Sequence, residues 1–187
     1  LSAYLDTADL DAHIQRSLAE DLGTGPDAGD HSSSAALPEG VRGCAALKAK
    51  QFLVFAGRDV AERVLRAVSP ELNATWFAAD GDQLNPGQVA AEVDGPLRDL
   101  LVAERTLLNY VQRLSGIATL TQQYVAQVAD LPCTLLDTRK TTPGWRMLEK
   151  WAVQVGGARN HRIGLHDMVM LKDNHIDLAG GLTEAVH

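Results

Sequence analysis

Apolar positions recur with a helical period in two stretches of the first hundred residues. They predict an amphipathic helix from Asp9 to Leu22 that ends at Gly23, and a second helix from Arg58 to Val68 that ends before Pro70. Short β-type segments are predicted at 41–55, where two strands fit, and at 75–79 and 88–93. Residues 23–40 are rich in Gly, Pro, Ser and Asp, which predicts a long surface loop. This mixture of short strands and helices indicates an α+β sandwich.

The second half of the chain has longer apolar patterns. Residues 97–129 have a helical period that Ser115-Gly116 interrupts, so we expect a kink or a join between two helices. Buried strands are predicted at Cys133–Leu136 and Met168–Leu171, with a helix at Gly144–Val155 between them. Strand, helix and strand in this order predict a parallel sheet with a right-handed crossover. Because a closed barrel takes about eight such units and ~250 residues, we expect an incomplete barrel and a chain that is a fragment.

Composition and charge narrow the class of protein. The chain has 187 residues, 45% of them hydrophobic, with 17 Lys and Arg against 24 Asp and Glu, a formal charge of −7. No apolar run approaches the roughly 18 residues of a membrane span, and a net negative charge opposes nonspecific binding to nucleic acid. The first residues carry acid where a signal peptide carries base, which favours a cytoplasmic protein. Cys44 and Cys133 lie in apolar runs, so we expect two buried thiols and no zinc site.

One stretch of this acidic chain is cationic. Residues 139–175 contain three acids and seven basic side chains, namely Arg139, Lys140, Arg146, Lys150, Arg159, Arg162 and Lys172. Arg139 and Lys140 follow the first predicted strand, and Lys172 follows the second. Since ligands gather at the carboxyl ends of parallel strands, we expect these side chains to face one mouth that binds an anion.

The residue types at this mouth suit different groups of a ligand. Arg139 and Arg162 suit carboxylates, because a guanidinium donates two parallel hydrogen bonds, whereas lysine is a point charge suited to phosphate. His161 either donates to a carboxylate or holds the loop. By spacing alone, Arg105 beside Glu104 indicates an ion pair, either exposed or intrahelical.

Four blocks of sequence together resemble one enzyme family. They are ERTLLNYVQRLSGIAT at 104–119, DTRKTTPG at 137–144, NHRIGLHD at 160–167 and LKDNHI at 171–176. These blocks are similar to those of the quinolinate phosphoribosyltransferases, and the resemblance extends from the helix near Asp9 to the end of the chain.

The resemblance implies an α/β protein with two domains. An N-terminal α+β sandwich at 1–104 would precede the first part of an open α/β barrel at 105–187, in a homodimer with shared active sites. The implied reaction joins quinolinate to phosphoribosyl pyrophosphate (PRPP) and gives nicotinate mononucleotide, CO₂ and pyrophosphate, a step of NAD biosynthesis. Mg²⁺ would enter with PRPP, and no metal ligand is assigned to this chain.

The resemblance also implies a set of site residues. Substrate-binding residues would be Arg105, Thr138, Arg139, Lys140, His161, Arg162 and Lys172. Lys140 and Lys172 would be catalytic, and Arg105 would reach the site of the partner subunit. In this family, acidic residues that serve the Mg²⁺-bound group and glycine-rich loops for the 5′-phosphate lie on further barrel strands. We therefore expect this polypeptide alone to bind quinolinate weakly at best and to be inactive.

Three alternatives remain at this stage. A related phosphoribosyltransferase would act on nicotinate or another small acid. A Schiff-base barrel enzyme would use Lys172 as its nucleophile. A non-catalytic fragment would bind an anion without turning it over.

Overall fold

The computed structural model describes residues 6–187. The helices are α1 (Thr7–Leu22), α2 (His31–Ala36), α3 (Arg58–Val68), α4 (Leu97–Gln127), α5 (Arg146–Val155), α6 (Asp173–Ala179) and α7 (Leu182–Val186). The strands are β1 (Arg42–Lys48), β2 (Leu53–Val54), β3 (Asn73–Trp76), β4 (Gln83–Leu84) and β5 (Val89–Pro96).

The helices of the first part agree with their predicted positions. Helix α3 has the predicted bounds, and α1 begins two residues earlier than predicted, where the Asp6 side chain accepts from the amide of Ala8. Helix α3 has no cap from its own first residues, and the distant Asp80 carboxylate accepts from the amides of Gly57 and Arg58 instead. Burial raises the pKa of Asp80. The N-terminus of α3 is thus tied to the strand region.

The segment at 23–40 is not wholly a loop. It contains the short helix α2, in which Asp30 is the N-cap and accepts hydrogen bonds from the amide and the hydroxyl of Ser33. Ser33 is buried. The expectation of a long surface loop is therefore corrected by a local cap, which the Asp–x–x–Ser spacing could have indicated.

Two small antiparallel sheets form the β-part. One has the order β1-β5-β3, and the other pairs β2 with β4. Helices α1, α3 and α4 pack with these strands around one apolar core, in which Val60, Val64 and Leu114 are fully buried. Cys44 lies on β1, an edge strand, and is exposed, so the expectation that it is buried is wrong. An alternating strand leaves half of its side chains facing away from the core.

Helix α4 runs without interruption through Ser115-Gly116, contrary to the expected break. The Ser115 hydroxyl accepts from the amide of Ala56 and donates to its carbonyl, so this residue docks α4 against the end of β2. Gly116 faces open space. Tertiary packing thus overrides the weak helix propensity of the pair. The predicted domain boundary at 104/105 falls within this helix.

The parallel unit after α4 differs from the predicted one. Leu136 forms an isolated parallel bridge with Arg159, and residues 133–136 form no strand beyond this bridge. The segment that pairs with them is therefore the one around Arg159, which follows α5 closely, and not residues 168–171. Residues 168–171 pair with no strand of the described chain, and Val169 is 87% exposed. Cys133 is also exposed. An apolar run becomes a buried strand only when other strands pair with it and cover it.

Within residues 6–187, none of the helices is both long enough and apolar enough to cross a membrane.

Candidate anion-binding site

The segments that follow Leu136 and Arg159 are held side by side. The amide of Asp137 donates to the carbonyl of Arg159 at 3.1 Å, and the amide of Arg159 donates to the carbonyl of Leu135 at 3.0 Å. The amide of His161 then donates to Asp137 Oδ1 at 2.8 Å. Residues 138–140 and 161–162 therefore leave the paired segments next to each other. The sequence predicted Lys172 at the end of the second strand instead, so the predicted pairing is wrong in its second strand.

Arg139 has an unsatisfied donor. Its Nε is buried and has no hydrogen-bond partner among the described residues. A buried donor without an acceptor is unfavourable, by about 1–3 kcal/mol. An acceptor supplied by a ligand would satisfy it, and a carboxylate matches the geometry of a guanidinium.

The loop that carries Arg139 and Lys140 is closed by its own hydroxyls. Thr138 Oγ1 accepts from the amide of Lys140 at 3.1 Å, and Thr141 Oγ1 accepts from Arg146 Nε at 3.1 Å. Thr138 and Lys140 are exposed. Thr138 thus shapes the backbone of the loop and remains within reach of solvent.

His161 and Arg162 lie on the neighbouring segment. The amide of Arg162 donates to His161 Nδ1 at 2.8 Å, which makes Nδ1 an acceptor and leaves the proton of a neutral ring on Nε2. Arg162 is 7% exposed, and its Nη1 donates to the carbonyl of Met168 at 3.0 Å. Its fork has five donors, so this contact leaves others for a ligand. The same contact ties Arg162 to the segment that leads to Lys172.

Lys172 and Arg105 take no part in these hydrogen bonds. Lys172 is exposed at the start of α6, where its amide donates to His175 Nδ1 at 3.1 Å. Arg105 is exposed on α4 and makes no hydrogen bond or ion pair with any residue in 6–187, Glu104 included. Neighbours in sequence on a helix do not face each other, so the intrahelical ion pair is absent.

A buried carboxylate that the sequence analysis missed fixes the other end of the loop. Glu149 on α5 accepts from Arg113 Nη2 on α4 at 2.5 Å and from the amide of Thr142 at 3.1 Å. Burial acts to raise the pKa of Glu149, but the hydrogen bonds from Arg113 and Thr142 outweigh it, and the pKa is lowered. The sequence did contain a signal for this buried carboxylate, namely a charged residue between the large apolar residues Leu148 and Trp151.

Lys150 is one of the seven basic side chains counted in the cationic stretch, but it is not free. Its side chain is 1% exposed and its ammonium is paired with Asp137, so this lysine adds no free charge to the mouth. Arg146 is also engaged, since its Nη1 donates to the carbonyl of Ile163 at 3.3 Å. The expected excess of free cations is therefore smaller than the residue count indicates.

The described residues contain no group of three or more His, Cys, Asp or Glu that could hold a metal ion. A cavity of about 520 Å³ lies between α4 and the strands β2 and β4, and its lining includes Leu53, Leu84 and Val111. None of the seven predicted site residues lines it. Its mostly apolar wall does not suit a small dianion.

Comparisons with known proteins all point to one enzyme family. Residues 30–115 match the model of the quinolinate phosphoribosyl transferase N-terminal domain, and residues 117–187 match that of the C-terminal domain. The chain is 47% identical over 180 residues to the chloroplastic nicotinate-nucleotide pyrophosphorylase (carboxylating) of Oryza sativa subsp. japonica, a match that covers 96% of this chain and 47% of the relative. It is 45% identical over 181 residues to quinolinate phosphoribosyltransferase (decarboxylating) 1 of Nicotiana glauca, covering 97% and 50%. The chain spans about half the length of these relatives.

Solved structures confirm the α/β fold class, with a sheet domain followed by the start of a barrel domain. The nicotinate-nucleotide pyrophosphorylase of Francisella tularensis superposes with a TM-score of 0.90 at 36% identity, over 97% of this chain and 63% of that one. NadC of Streptococcus pyogenes gives a TM-score of 0.91 at 38% identity, with the same coverage.

Proposed function

The chain belongs to the quinolinate phosphoribosyltransferase family, and we propose that it takes part in phosphoribosyl transfer from PRPP to quinolinate with decarboxylation, in NAD biosynthesis. The products would be nicotinate mononucleotide, CO₂ and pyrophosphate. The family match gives no support to a Schiff-base role for Lys172.

The observation that carries this proposal is the buried, unpartnered Nε of Arg139, on a segment whose Asp137 accepts a hydrogen bond from the amide of His161. Quinolinate brings two adjacent carboxylates. Arg139 and Arg162 would each donate to one of them, and the Nε2–H of His161 would supply a further donor. A ligand with a single carboxylate, such as nicotinate, would leave part of this set unsatisfied.

The chemistry requires positioning and electrostatic stabilisation. The pyridine nitrogen attacks the anomeric carbon of PRPP, the bond from that carbon to the pyrophosphate oxygen breaks, and the leaving group takes the electron pair. Negative charge grows on pyrophosphate, so fixed cations favour the transition state. We propose that Lys140 and Lys172 supply this charge. Both are exposed, Lys140 just after the paired segment and Lys172 at the start of α6.

Decarboxylation then follows on the bound mononucleotide. The bond between the ring carbon and its carboxylate breaks, CO₂ leaves, and the electron pair stays on the ring carbon beside the pyridinium nitrogen until a proton from solvent replaces CO₂. We propose that Lys140 lies near this carboxylate. Mg²⁺ would enter bound to PRPP, and we assign it no step. Residues 6–187 include no group of three or more His, Cys, Asp or Glu that could hold a metal ion.

Three further points are proposals of the same kind. We propose a homodimer in which Arg105, exposed and unpaired within the described chain, completes the site of the partner subunit. We propose a cytoplasmic location, although the relative from Oryza sativa is named as chloroplastic. Thr138 would contact substrate through its exposed hydroxyl.

Calorimetric titration of the chain with quinolinate and with nicotinate tests the proposal. We expect quinolinate to bind more tightly, and R139K to weaken quinolinate binding by about tenfold, which corresponds to about 1.4 kcal/mol. R159K is the matched control, because Arg159 is exposed in the same cationic stretch and is held only by its backbone, so its affinity should stay within about twofold of the original chain. Equal affinity for both acids, or equal effects of R139K and R159K, would refute the proposal.

A further inference from the structure

A buried ion pair joins α5 to the residues that precede the two cationic segments. Lys150 Nζ donates to Asp137 Oδ1 at 2.5 Å and to the carbonyl of His161 at 3.1 Å. The side chains of Lys150 and Asp137 are 1% and 8% exposed. A lysine so deeply buried cannot touch a substrate in the mouth. Any effect it has on a ligand must pass through the residues that it contacts.

These contacts hold the backbone of His161 at both of its polar atoms. Its amide donates to Asp137 Oδ1, and its carbonyl accepts from Lys150 Nζ. Asp137 immediately precedes Thr138, and His161 immediately precedes Arg162. The ion pair therefore fixes one cationic segment relative to the other, beyond the two backbone hydrogen bonds between Leu135, Asp137 and Arg159.

The pair also controls charge. An unpaired Asp137 carboxylate would be a largely buried negative charge two residues from Arg139, and burial would strengthen its attraction for a guanidinium that reached it. It would then compete with an anionic ligand. Lys150 cancels this charge from the interior side. A buried ion pair seldom adds stability over apolar residues of the same size, so stability alone is a weak reason for this arrangement.

We propose that Lys150 is a positioning residue of the anion site: it neutralises Asp137 and holds His161, so that the His161 ring and the guanidinium of Arg139 stay available to the ligand. The inference rests on the proposed function, since it takes quinolinate as that ligand.

The test uses the whole chain and the substitution K150M, which keeps a long side chain without its charge. We expect quinolinate affinity, followed by NMR titration, to fall by about tenfold or more. The ¹⁵N side-chain spectrum of His161 should change as well, from one Nε2–H tautomer with an unprotonated Nδ1 to a mixture of tautomers. An unchanged tautomer signal together with unchanged affinity would overturn the inference.

Two further variants separate positioning from a general loss of stability. L148A removes a 2% exposed side chain from the same helix, so it should lower the melting temperature yet leave the His161 signal and the quinolinate affinity unchanged. D137N/K150M leaves no lone buried charge, so it decides the question if K150M does not fold. It also lacks the donor to the His161 carbonyl, and we expect weaker binding than in the original chain, whereas equal binding would refute the inference. If quinolinate binds the original chain no more tightly than nicotinate does, the proposed function fails, while the tautomer signal still tests the role of Lys150.

Discussion

Replacing Glu149 by Gln should measure how strongly the loop at 138–144 is held. The carboxylate accepts from Arg113 Nη2 and from the amide of Thr142, and its side chain is only 11% exposed. An amide has one acceptor oxygen, so one of these donors would face an NH₂ group. Loss of one charge-assisted hydrogen bond is worth about 1.5–3 kcal/mol, and because half of the Arg113 side chain reaches water, we expect about 2 kcal/mol.

Chemical and thermal unfolding followed by circular dichroism would measure this loss. For a chain of this length, about 2 kcal/mol corresponds to a fall of about 4–8 °C in Tm. E62Q is the matched control, since Glu62 pairs with Arg58 on the surface of α3 and should contribute about 0.3–0.5 kcal/mol. A difference between E149Q and the original chain of less than about 0.5 kcal/mol would refute the reasoning.

The pH dependence of the same difference gives an independent check. The pKa of Glu149 is lowered from 4.5, so the folded state binds the proton less readily than the unfolded state. The stabilisation is therefore fully present above pH 4.5 and is lost as the pH falls through the folded pKa. The free energies of unfolding of E149Q and the original chain should converge in acid, and a constant difference would contradict the assigned hydrogen bonds.

Three other predictions concern stability. Burial, aided by Arg16, lowers the pKa of His13 from 6.5, so stability should fall as the pH drops below 6.5, and H13Q should flatten this dependence in urea titrations. G156A places a Cβ 2.5 Å from the carbonyl oxygen of Ala118 on α4 and should lower the free energy of unfolding by about 1–3 kcal/mol. An unchanged free energy of unfolding would contradict the close packing of the end of α5 against α4. G116A meets open space in the middle of α4 and should raise Tm through a gain of about 0.5–1 kcal/mol, and a fall would contradict the continuous helix.

Local patterns predicted the helices better than the strands. Helix α3 has the predicted bounds because its apolar stripe, the preceding Gly57 and the following Ser69-Pro70 pair all lie within one short segment. The strands at 133–136 and 168–171 were predicted from apolar runs alone. A strand depends on partners distant in sequence, and only the bridge at Leu136 forms.

The site shows the same division. The blocks at 137–144 and 160–167 indicated the family and contain the residue types predicted to bind an anion. The charges of Lys150 and Glu149 were misread or missed, since the sequence shows a charge but not its partner. Asp137 and Arg113 lie 13 and 36 residues away from their respective partners, and only the packing of α5 brings them together.

The sequence by itself determined the family and the α/β class, and it predicted residue types that suit a carboxylate, because short-range patterns and residue chemistry are written along the chain. Tertiary structure alone decided which cations are free. Lys150 is neutralised by Asp137, whereas the Nε of Arg139 stays buried without an acceptor. The physical reason is that the energy of a charge depends on its burial and on the groups around it, and both are properties of the folded chain.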